Sequence, residues 1–128
     1  MNVTKSIWAL VVIAATTLAA PYAESAQGEV VVAISRFEVA PDQAAEFEAR
    51  LLRGAEFYRK AEPDMTFHAH RSKKDAHVFV VYESWPSVAA YEHHRTVVRP
   101  ARLKETGPTP PGMLVKPPQS ELFTRLTD

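Results

Sequence analysis

The sequence predicts an α+β domain of the ferredoxin-like kind, with its elements in the order β-α-β-β-α-β. Three observations predict it. Short runs rich in β-branched and aromatic residues stand at both ends and in the middle of residues 26–128, two segments of helical periodicity separate them, and a tight polar turn joins the middle pair of runs.

Glu29 to Val39 is dominated by Val, Ile and Phe and stops at the turn signal Ala40-Pro41-Asp42, which makes it the first strand. Pro41 suits a first helical position and Asp42 a first turn. Phe47, Leu51, Ala55 and Tyr58 then recur at helical spacing, giving an amphipathic helix of roughly five turns that closes before Glu62-Pro63-Asp64. Met65 to Lys73 alternates, with Met65, Phe67 and Ala69 on one face and Thr66, His68 and His70 on the other, as a second strand does. Past Lys73-Lys74-Asp75, His77 to Trp85 holds the run Val78-Phe79-Val80-Val81-Tyr82, apolar on both faces and therefore a central third strand.

Pro86 opens a second helix with Tyr91, His94 and Val98 on one face, and Pro100 is expected to kink or close it. Gly107 to Pro118 carries too many prolines for a helix and is too apolar at Met113 and Leu114 for a plain linker, so it reads as a structured loop that roofs a cavity. Glu121 to Leu126 is the last strand.

The chain has 128 residues, and its first 25 read as a removable signal peptide. Lys5 precedes the uncharged run Ser6 to Ala20, which is shorter than the roughly 20 residues a membrane-spanning helix needs and ends at Pro21 without a basic stop-transfer cluster. Ala23 and Ser25 supply the small residues for cleavage after Ser25. No stable membrane anchor is expected after that cut, and the protein is expected to be periplasmic or secreted. Residues 26–128 form one domain. Fifteen basic residues against fifteen acidic ones give no field for nucleic acid or an anionic membrane, and the absence of Cys excludes disulfides, thiol nucleophiles and thiolate metal sites.

The string FVVYESWPSVAAYEHH at residues 79–94 resembles the antibiotic biosynthesis monooxygenase family, in which F-x-x-x-E-x-W is followed by a helix with a His nine residues after the Trp. That His is His94, and Glu62-Pro63 resembles the family's Glu-Pro-Gly at the end of helix one. Asp64 replaces that Gly, no second His follows His94, and the final loop is unusually proline-rich. The resemblance implies a dimeric α+β barrel of ferredoxin-like subunits, each with a cavity between sheet and helices. It also implies oxidation of a quinol or activated phenol by O2 without metal or flavin. A haem-degrading relative would carry an Asn on strand one and a Trp on helix two, and neither is present here.

The chemistry requires a base and a dry pocket, and His is a suitable base near neutral pH. His94 is accordingly assigned as the catalytic base. Trp85, Tyr82, Phe79, Tyr91, His68 and Arg36 are assigned to the wall for a small aromatic or quinol-like ligand. Glu83 is read as a group that orients or pairs rather than reacts. His68 and His70 share a strand face, but a His-x-His pair without a carboxylate at ligand spacing defines no metal site, so neither metal nor cofactor is assigned. The competing reading is a non-catalytic dimeric module that holds a small apolar molecule, or serves a stress response, through the same cavity. Export agrees with chemistry that needs only substrate and O2.

Overall fold

The computed structural model describes residues 28–128, and the segment read as a signal peptide lies outside them. Strand β1 (Val31–Glu38) is followed by one 3-10 turn (Pro41–Gln43) and helix α1 (Ala44–Ala61), then by β2 (Thr66–Arg71) and β3 (Val78–Trp85). A long second helix comes next in three pieces, α2 (Val88–His93), a π turn (His94–Val98) and α3 (Arg99–Thr106), before β4 (Gln119–Thr124). The strands make one antiparallel sheet in the order β2-β3-β1-β4, the arrangement expected of a split βαβ. The apolar third strand is interior, as its two-sided hydrophobicity requires.

Register decides which side chains meet the helices. Ala33 pairs with Glu83, Ser35 with Val81 and Phe37 with Phe79, and alternation along the strands points these residues to the helical side. The intervening Ile34, Arg36, Val80 and Tyr82 point to the opposite face. Toward the end of β3 that carries Phe79, the sheet and α1 enclose Val39, Phe47, Leu51, Phe79, Val81 and Met113. The Phe47 ring lies 5.2 Å from both Phe37 and Phe79, within the range of favourable aromatic contact.

The loop over 107–118 is structured, but its main role differs from the roof expected of it. Met113 is 1 % exposed and plugs the core, and Leu114 forms an isolated bridge with Val39. The Ala40 N–H donates to Met113 O at 2.9 Å and the Val115 N–H to Glu38 O at 2.8 Å, so the loop is strapped to the end of β1. Only Pro118 from this segment borders the cavity described below. Removing a buried side chain of this size costs about 2–5 kcal/mol. Met113→Ala is therefore expected to lose stability in that range in urea titrations, and a loss below about 0.5 kcal/mol would show the loop to be a surface strap only.

Pro100 does not close the second helix, which runs on to Thr106. Pro100 has no N–H to give the preceding turn, and the chain widens just before it, with the Arg99 N–H bonded to His94 O, five residues back. Ser87 caps the start by accepting the Ala90 N–H at 3.1 Å. At the far end, Arg50 of α1 donates to Gly107 O at 3.0 Å and Pro108 O at 3.1 Å, tying the two helices together. Gly107 stands there with φ +72° and ψ 166°, a conformation open essentially to glycine alone.

Candidate functional site

Between the Trp85 end of the sheet and the two helices lies a cavity of about 280 Å³. Phe37, Leu51, Phe67 and Val81 give it apolar walls, and Tyr58, Trp85, Tyr91 and His94 crowd one side. The His94 ring is 4.8 Å from Trp85 and 5.1 Å from Tyr58, and Trp85 meets Tyr91 edge-on at 5.0 Å.

His94 is 4 % exposed, and its Nδ1 lies 2.6 Å from Glu62 Oε2. The carboxylate accepts, so Nδ1 carries the proton and Nε2 keeps the lone pair. Burial pushes the imidazole below its ordinary value, and the bond and charge of Glu62 pull it part of the way back. The product is a neutral, oriented imidazole whose incipient positive charge has a carboxylate behind it, the arrangement a general base requires.

Glu83 stands on the same wall and is pushed up to about 7 by burial, against the opposing pull of Arg99 and Arg102. Burial also raises the Tyr58 phenol. Ser35 and Ser120 exchange a 2.8 Å hydroxyl bond at the β1–β4 edge of the cavity.

Of the residues read from the sequence as the site, the structure brings His94, Trp85 and Tyr91 together. Phe79 shares their side of β3 but is 1 % exposed in the core, where Met113 and Phe47 cover it, and it does not border the cavity. Tyr82, His68 and Arg36 lie on the other face of the sheet, away from the cavity, because strand alternation separates them from Glu83, Phe67 and Ser35. There His68 stacks on Tyr82 at 6.2 Å, and Arg36 pairs with Glu38. His68 and His70 thus do not meet His94. Among the described residues no group of three or more His, Cys, Asp or Glu converges to hold a metal ion.

Glu62 was legible only as part of a resemblance, and the arginines 95, 99 and 102 not at all. For Arg99 and Arg102 the π turn gives the reason. With one extra residue in that turn, spacings of five and eight act as four and seven, bringing Arg99 and Arg102 onto the cavity face with His94.

A ferredoxin-like sheet covered by two helices, with a carboxylate-oriented imidazole in an aromatic cavity, defines a small-molecule site equipped for proton transfer. The chain belongs to the antibiotic biosynthesis monooxygenase family, whose sequence model matches residues 30–97. Among solved structures it is similar to a Caulobacter crescentus protein that bears this family's name, at 27% identity over 83% of this chain and 99% of that one, with a TM-score of 0.64. It is also similar to PA3566 from Pseudomonas aeruginosa, at 25% identity over 79% and 98% of the two chains and a TM-score of 0.57. SnoaB, a cofactor-independent oxygenase from Streptomyces nogalater solved as a point mutant, shares the fold at 21% identity over 79% and 97%, with a TM-score of 0.60. No curated protein matches the chain.

Proposed function

We propose that this protein is a cofactor-independent monooxygenase acting on a quinol or activated phenol, with His94 as the base. The observation that carries the reading is the Glu62–His94 pair, buried beside Trp85 and Tyr58 at the wall of an aromatic cavity. Nε2 of His94 takes the phenolic proton. The resulting anion is electron-rich enough to reduce O2, one oxygen atom enters the ring as a carbonyl and the other leaves as water, and the substrate loses two hydrogens. Apolar walls keep bulk water from quenching the anion. Family membership and the shared fold of SnoaB support this reading.

Two further parts belong to the proposal. The outer face of the sheet presents Ile34, Val80, Tyr82 and Phe123, an apolar and aromatic surface suited to a second copy, so the protein is proposed to work as a homodimer. The first 25 residues are proposed to direct export and to be removed; among the described residues no helix is long and apolar enough to cross a membrane.

Oxygen-electrode assays with reduced quinols and anthrol-type phenols test the chemistry. Substrate-dependent uptake well above autoxidation is expected from the protein as purified, and uptake no faster than autoxidation across the panel would reject the enzyme reading. Edman sequencing of exported protein is expected to start at Ala26.

A further inference from the structure

The second-helix side of the cavity carries more positive charge than the base chemistry uses. Arg95, Arg99 and Arg102 all border the cavity from the second helix. Arg95 is held at its rim by Glu92 at 2.7 Å, whereas Arg99 and Arg102 make no ion pair among the described residues. Two carboxylates, Glu83 and Glu121, also line the cavity, and burial pushes the Glu83 carboxyl up to about 7 in spite of both guanidiniums, so near neutral pH it offsets them only in part.

Arg102 is also built into its position. Its guanidinium carbon lies 5.5 Å from the centre of the Tyr58 ring, the same ring that flanks His94. On the other side, a Cβ at Gly54 would come within 2.8 Å of Nη2 and 3.1 Å of Cζ. A glycine in the interior of α1 costs about 1 kcal/mol relative to alanine, and here it leaves the room that the guanidinium occupies. Arg102 Nε and Trp85 Nε1, on two residues that line the cavity, are buried without a hydrogen-bond acceptor in the protein.

We infer that the ligand of this cavity carries a carboxylate, received by Arg102 and Arg99, so that the substrate class is an aromatic hydroxy acid rather than a neutral phenol. The inference rests on the reading of this cavity as the ligand site. A planar guanidinium presents paired donors that fit the two oxygens of a carboxylate. The apolar walls accept the ring, and the hydroxyl is left for His94. The volume of about 280 Å³ suits a ligand of two or three fused rings.

The test measures binding under anaerobic conditions, so that the O2 required for turnover is absent. The fluorescent acid 1-hydroxy-2-naphthoic acid, its methyl ester and 1-naphthol are titrated into the full folded protein, with Arg102→Gln and Arg99→Gln as variants. The wild type is expected to prefer the acid over the ester by at least about tenfold, which corresponds to roughly 1.4 kcal/mol. Arg102→Gln is expected to bring the two within about twofold, and Arg99→Gln to reduce the preference several-fold, because charge-assisted bonds are the ones lost. Arg99 is exposed, so its variant decides the matter if Arg102→Gln fails to fold. Equal affinity for acid and ester in the wild type, no measurable binding of the acid at millimolar concentration, or a preference that survives both substitutions would overturn the inference. Because binding is read without O2, an absence of oxygen uptake in the separate assay would reject the enzyme reading and leave this result standing. Uptake with neutral phenols alone would do the reverse.

Discussion

His94→Gln is expected to lower substrate-dependent oxygen uptake by about 10²–10⁴-fold, the usual worth of a positioned general base. Gln fills much of the same space between Trp85 and Tyr58 and keeps a polar group for Glu62, so the melting temperature should move little by comparison. Glu62→Gln separates orientation from charge. The amide oxygen still accepts from Nδ1, but the carboxylate that raises the imidazole is gone, so the acidic limb of the rate profile should shift to lower pH and the maximal rate fall. Burial already holds His94 below its ordinary value. The neutral, reactive form is therefore favoured at neutral pH, and protonation on acidification silences it at a lower pH than for an ordinary histidine. A His94→Gln enzyme within about threefold of wild type would remove the base from the mechanism.

Glu83→Gln is expected to stabilise the protein at alkaline pH and to do so progressively as the pH rises. The carboxyl titrates near 4.5 when free and at about 7 in the folded protein. Between those values the folded state holds more protons than the unfolded one, so the contribution of Glu83 to stability is full below 4.5 and declines as the pH climbs through 7. At about 1.4 kcal/mol per pH unit, the amide variant should gain up to about 3 kcal/mol over wild type by pH 8 and nothing near pH 4. Urea unfolding of both proteins across this range measures the difference directly. A gap independent of pH would mean that the Glu83 carboxyl titrates alike in the folded and unfolded protein, against the burial argument. Below about pH 7 the same carboxyl is mostly protonated and can donate a hydrogen bond from the cavity wall.

Much of this molecule was legible because its patterns are local. The alternation of residues 65–73, the apolar run at 78–82 and the helical spacing of Phe47, Leu51 and Tyr58 each report one element, and the structure places all of them where those patterns put them. The face of helix two that carries Tyr91 and His94 was legible for the same reason. Tyr82 and His68 show the limit. Their residue types suit a binding wall, but which face of a sheet is covered by helices is settled by packing, and both stand on the other face. Phe79 is on the right face and fails for a different reason, since Met113, 34 positions further along, arrives to seal it.

By itself the sequence determined the order of elements, the central place of the third strand and the position of one histidine on a helix face. These follow from side-chain periods of two and of about 3.6, which need no knowledge of distant residues. The tertiary structure alone decided that Glu62 stands behind His94, that Gly54 makes room for Arg102, and that a widened turn before Pro100 brings Arg99 and Arg102 onto the face of the base. Each of these depends on groups brought together from separate elements, or on one added residue in a helical turn that a constant period does not register.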